Sequence, residues 1–110
     1  MGNEPQQPLT ESIFYILLAL HTPNHGYGII KEVETLTNGR VIMGAGTLYG
    51  AIKTLLKKKW IRLYADTNDS RNKKEYVITP LGKEIFSAEV NRLEELVANA
   101  KKKEKEHEEV

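Results

Sequence analysis

The segment "IFYILLAL", residues 13–20, limits what this chain can fold into more than any other. Thr10 is a good N-cap ahead of it, so a helix from there to about Leu20 is expected. With Ile13, Phe14, Ile16, Leu17, Leu18 and Leu20 that helix is apolar on nearly all sides, and it must be covered on two of them. A chain of 110 residues closes one modest core in one domain. Such a core hardly covers both faces, so a second subunit is expected to complete the burial. A run this short cannot span a bilayer, and no basic leader or cleavage site accompanies it, so a cytoplasmic protein is expected.

The remaining segments alternate between two periodicities. Residues 1–8 are polar, with two prolines, and are expected to fray. Pro23, Asn24, His25 and Gly26 make a breaker cluster. Tyr27, Ile30, Val33 and Leu36 then recur every third residue, opposite Lys31, Glu32, Glu34 and Thr35, as one face of a second helix that Asn38-Gly39 ends. A third helix is expected from Thr47. Leu48, Ala51, Ile52 and Leu55 share its inner side; Gly50, Lys53, Thr54 and Lys57 share the other, with Thr47 and Tyr49 on the flanks. Tyr49 fits both a half-buried packing role and an outward one.

Beyond Trp60, read as a wedge, the period becomes two. Ile61 and Leu63, then Tyr76 and Ile78, flank the turn-rich "ADTNDSRNKK", giving a long-looped β-hairpin. Thr79-Pro80 restarts a helix, with Thr as N-cap and Pro in the first helical position. In it Phe86, Val90, Leu93, Val97 and Ala100 follow alternating spacings of four and three, with Leu96 beside them. That is a helix-packing seam about two heptads long, expected between subunits. The chain therefore divides into a frayed start (1–8), a DNA-binding-type domain (9–79), a dimerisation helix (80–103) and a charged tail (104–110). The fold class is mainly α with a small β-hairpin: a winged helix-turn-helix plus a C-terminal helix.

Net charge is only +1, but between Arg40 and Lys74 nine basic residues face two acidic ones. Such a local excess favours a polyanion as partner. Lys58 and Lys59 are assigned to stabilising a helix C-terminus. Glycines ahead of a basic helix also occur in nucleotide sites, but the spacing here fails both motifs. The glycine that a dinucleotide fingerprint needs after Gly44 and Gly46 falls at Tyr49, and Ala51 follows Gly50 where a Walker loop needs Lys. There is no cysteine. His21 and His25 are separated by Pro23, which breaks the helix that would align them on a metal. No metal, cofactor or catalytic constellation is read, and the chain is not expected to be an enzyme. The helix order instead places Thr47, Tyr49, Gly50, Lys53, Thr54 and Lys57 toward the major groove, with Arg71, Asn72, Lys73 and Lys74 at the hairpin tip along an adjacent DNA strand or minor groove.

The segments "HGYGIIKEV", "GTLYGAIKTLLKKKWI" and "KKEYVITPLGKEIF" together resemble the PadR family of bacterial transcriptional regulators. The resemblance runs from about Leu9 to Ala100. It implies a homodimeric winged-helix regulator, usually a repressor, on an inverted-repeat operator, nucleoid-associated when bound. It also implies dimerisation through the last helix and the partner's first, using Ile13, Phe14, Leu17, Phe86, Val90, Leu93, Leu96 and Val97. Where the family often carries Arg, this chain has Lys53 or Lys74, which weakens guanine readout there. Some family members bind aromatic or drug-like effectors between subunits; Phe14, Tyr15, Phe86 and Leu93 are the candidates for a small hydrophobic effector here. The competing class is a winged-helix protein–protein adaptor without specific DNA binding, which need not gather its lysines and arginines on one surface.

Overall fold

The computed structural model describes residues 7–66 and 73–107. The order is α1 (Glu11–Ala19), β1 (Asn24–His25), α2 (Gly26–Leu36), α3 (Ala45–Lys57), β2 (Ile61–Asp66), β3 (Lys74–Ile78) and α4 (Pro80–Glu106). Thr10 caps α1 by accepting the Ile13 N–H, and Thr79 caps α4 ahead of Pro80, both at the expected positions. Three antiparallel strands run in the order β1-β3-β2. The third strand was not expected. Asn24 and His25, read as breakers, pair with Tyr76 and Glu75. Helix α4 also runs further than expected, to Glu106, into the stretch assigned to the charged tail. Among the described residues no helix is long and apolar enough to cross a membrane.

The core gathers Ile16, Leu17 and Leu20 from α1, Ile29 and Val33 from α2, Leu48, Ile52 and Leu55 from α3, and Ile61, Tyr76 and Ile78 from the sheet. The inner positions of the third helix are thus those that the periodicity marks, whereas on the second only Val33 of the marked face is buried: Tyr27 and Leu36 are exposed, Ile30 is half-buried, and Ile29 takes the inner place because the core lies one residue round the helix. Trp60 packs against this cluster half-buried, at the turn between α3 and β2.

The "HGYG" segment has a steric logic. A Cβ on Gly26 would collide with the Tyr49 hydroxyl, and one on Gly28 with the Asn24 side-chain oxygen. That Asn24 oxygen accepts the His25 N–H at 2.9 Å, while His25 Nδ1 caps α2 by accepting the Gly28 N–H at 3.1 Å. Helix α2 ends in a paired motif: Asn38, at φ 52°, donates to Thr35 O, and Gly39 donates to Glu34 O at 2.8 Å.

The start of α4 is the tightest junction. Thr79 donates from its backbone N to Trp60 O at 2.9 Å and from its hydroxyl to Lys59 O at 2.7 Å, while accepting the Gly82 N–H at 3.0 Å. Gly82 lies directly on the Trp60 carbonyl, and a Cβ there would overlap backbone that cannot swing aside. Gly82→Ala is therefore expected to cost about 3 kcal/mol, the upper end for overpacking, read as a lowered midpoint in thermal or denaturant unfolding.

Candidate nucleic-acid interface

Helix α3 has two unlike sides. Leu48, Ile52 and Leu55 are buried, while Gly46, Thr47, Tyr49, Gly50, Lys53, Thr54 and Lys57 are exposed. Lys53 and Lys57 stand one turn apart on the open side. Thr54 donates its hydroxyl proton to Gly50 O at 3.3 Å, so toward solvent it offers acceptor lone pairs. At the N-terminus the cap is Gly44, which has no side chain to bond the first amides. Those amides are therefore open to an anion.

The glycines of this face carry the most information. Among the described residues nothing lies within 4 Å of a Cβ added at Gly46 or Gly50. Glycine inside a helix costs about 0.5–1 kcal/mol relative to alanine. Among the described residues no neighbour requires it at either position, and both positions leave room for a close approach from outside the protomer.

The far end of α3 closes with Lys59 in the left-handed region at φ 64°. Lys59 donates to Leu56 O and Trp60 to Leu55 O, the paired bonds of a Schellman ending. Lys58 Nζ sits 5.0 Å from the Trp60 ring centroid, within cation–π range. Tyr49 is 52% exposed with its hydroxyl against Gly26, so it packs and faces outward at once. Lys73 and Lys74 are exposed where β3 begins; Arg71 and Asn72 lie outside the described residues. Arg40 is engaged away from α3 by the Glu11 carboxylate, and its hydrogen bonds hold that carboxyl below its ordinary range.

On the other side of the protomer α1 and α4 leave an apolar surface. Ile13, Phe14, Phe86 and Val90 are half-buried, and Leu93, Leu96 and Val97 are exposed. Leu17 departs from its expected place. It is fully buried in the protomer core, because α2 and the rest of the core cover the side of α1 on which it lies, and it contributes nothing to this surface. Phe14, Val90, Leu93, Val97 and Ala98 line an open groove of about 440 Å³. Phe14, Tyr15 and Leu93 also line a second recess of about 320 Å³ with Leu9, Glu89 and Arg92. Phe86 lines neither of these two; it lies between the rings of Phe14, at 4.7 Å, and His21, at 4.8 Å.

Glu89 is a residue the periodicity does not mark. It is 1% exposed, receives two 2.8 Å hydrogen bonds from Arg92, and accepts the Leu9 N–H at 3.0 Å. Its carboxylate raises the pKa of Arg92 by hydrogen bonding. The spacing to Arg92 marks a pair in the sequence, but not its burial.

Three helices, a strand pair serving as a wing, and an open basic face on the third helix define a winged helix-turn-helix domain. The chain belongs to the PadR-like family of transcriptional regulators: residues 15–88 match the family profile. The family's members are regulators of transcription, not enzymes. An uncharacterised protein of Lysinibacillus sphaericus is 37% identical over 71 residues; the match covers 64% of this chain and 65% of that protein, just under two thirds of its length. A transcriptional regulator from Clostridium thermocellum shares the fold with a TM-score of 0.71 at 23% identity, over 84% of this chain and 90% of that one. A PadR family transcription regulator from Clostridium difficile R20291 gives a TM-score of 0.63 at 25% identity, over 80% of this chain and 94% of that one.

Gly46→Ala and Gly50→Ala provide a separation test. Each is expected to raise unfolding stability by about 0.5–1 kcal/mol while lowering affinity for duplex DNA. Denaturant titration and fluorescence anisotropy on the same samples read the two effects.

Proposed function

We propose that the protein is a sequence-specific, homodimeric DNA-binding repressor that occupies an inverted-repeat operator. The observation that carries this reading is the exposed face of α3, where unobstructed glycines alternate with Thr47, Lys53, Thr54 and Lys57. Glycines admit the sugar–phosphate backbone or base edges closely, and lysines one turn apart reach phosphates or guanine edges. The buried Leu48, Ile52 and Leu55 hold these side chains in fixed register. Lys73 and Lys74 are exposed where β3 begins, and their long side chains are suited to phosphates more than to reading base edges. A dimer that fills two successive grooves excludes other proteins from that stretch, which is the physical basis for assigning repression.

The dimer is proposed from α1 and α4. Leu93, Leu96 and Val97 are 37–51% exposed on a helix that continues past the domain, flanking a groove floored by Phe14 and Val90. An exposed apolar stripe continuous with a groove fits the helices of a second copy. What the second copy leaves unfilled near Phe14, Tyr15 and Leu93 is the seat proposed for a small hydrophobic effector.

Two measurements test these roles. Leu93→Glu buries a charge in the proposed interface and is expected to leave a folded monomer by sedimentation velocity; a parent chain monomeric at micromolar concentration contradicts the dimer. Selection of bound duplexes from a random pool, at two salt concentrations, should return a dyad with half-sites one or two helical turns apart. On that duplex and its single-base variants, Lys53→Ala should reorder preferences, at about 1–3 kcal/mol for each base edge it no longer bonds. Lys73→Ala with Lys74→Ala should weaken all duplexes alike and lower the salt slope by about one for each phosphate no longer neutralised. Equal affinity for every duplex overturns the reading, and the opposite pattern in the two variants reverses the assigned roles.

A further inference from the structure

Beside the outward face of α3, a recess of about 220 Å³ opens between the start of α2, the Tyr49 side chain and the start of β3. His25, Gly26, Tyr49, Lys73, Lys74 and Tyr76 line it. Helix α2 is 11 residues long, and its first-turn amides carry the positive end of its dipole toward this recess. His25 already serves that terminus by accepting the Gly28 N–H at Nδ1, which leaves the proton of the neutral ring on Nε2 as a donor.

Tyr76 supplies an independent sign of a ligand. It is only 8% exposed, it lines the recess, and its hydroxyl makes no hydrogen bond among the described residues. That hydroxyl is the tip of a largely buried side chain and is itself open to the recess, where an acceptor from outside the protomer can receive its hydrogen bond. Burial first, then the fields of Tyr49 and Asp66, push its pKa up, so the phenol stays protonated and can donate. The Tyr49 hydroxyl reaches the same place because Gly26 has no Cβ to block it. Lys73 and Lys74 add positive charge at the rim. Asp66, across the strand ladder from Lys74, and Glu75, opposite His25, are the carboxylates near it. Two phenols, an imidazole N–H, helix amides and two ammonium groups form a set of donors suited to a tetrahedral oxyanion.

We propose that this recess seats one phosphate of the DNA backbone per half-site, on the strand bordering the groove that α3 enters, with Tyr76, Tyr49 and His25 as its donors. The site rests on the duplex-binding reading above, and it sets the depth and tilt of α3 through α2 and the wing together.

The test uses the full chain and the duplex recovered by selection, carrying one neutral methylphosphonate at a time. For the parent chain, one position per half-site outside the bases read by α3 should cost about tenfold in affinity. Tyr76→Phe keeps the ring and its packing. It should bind the unmodified duplex several-fold more weakly and lose its sensitivity at that one position, while every other position keeps its effect. Tyr49→Phe should behave the same way, and unchanged melting temperatures exclude a folding defect. If both variants keep the parent's full methylphosphonate pattern, the phosphate seat is wrong while the regulator reading stands. If they change only the displacement of duplex by inorganic phosphate, the recess takes free phosphate and the proposal is overturned. If the parent binds no duplex at all, the regulator reading fails and this site with it.

Discussion

The backbone carbonyl of Trp60 is the point through which the parts of this protein are held in mutual orientation. It accepts the Thr79 N–H and lies against Gly82, while the Thr79 hydroxyl ties the preceding Lys59 carbonyl to the first turn of α4. One residue earlier, Ile78 donates to Leu20 O at 2.8 Å, which adds the end of α1. The end of α3, the end of β3, the start of α4 and the end of α1 therefore meet within a few residues. Backbone hydrogen bonds and a glycine contact are short and directional, so a change in the direction of α4 is passed to α3 with little slack.

Helix α4 is built as two helices of different character joined end to end. Its first half packs through Gly82, Phe86 and the buried Glu89, and Glu89 also holds the chain ahead of α1 through the Leu9 N–H. From Leu93 onward the described residues are exposed, although Leu96 and Val97 are apolar. A helix of 27 residues is about 40 Å long at the standard rise, and among the described residues its outer half finds little packing to offset the cost of ordering it. That imbalance supports the proposed pairing of two copies more directly than the heptad spacing alone.

The sequence was most informative where one face of an element repeats. Leu48, Ile52 and Leu55 fall on the inner side of α3, and Thr10, Thr79 and Asn38 sit at the helix ends that their chemistry favours. It was least informative where a role depends on a distant partner. Asn24 and His25 have turn-forming character, and they become a strand only because β3 presents Tyr76 and Glu75 to them. Leu17 looks no different from Phe14 in an all-apolar helix; which side the core takes is decided by how α2 and the rest of the core pack against it. Glu89 reads as one more charge in a polar helix until the Leu9 amide and Arg92 close over it. Within the candidate interface the third helix was legible from its spacing, whereas the recess at the start of α2 needs Tyr49 folded onto Gly26 before it exists.

The strand order has a consequence for how such a chain meets its own kind. A strand with free amides and carbonyls along its side is a template on which another copy can pair. Here Asn24 and His25 cover the outer side of β3, and the register slip between Leu63 and Ala65 interrupts β2, which also carries the cationic Arg62. Neither border of the sheet is a long, flat, unoccupied ladder. Association by strand addition, the route to fibrils and runaway polymers, is blunted on both sides, and the apolar stripe of Leu93, Leu96 and Val97 is carried by a helix, whose backbone offers no such template.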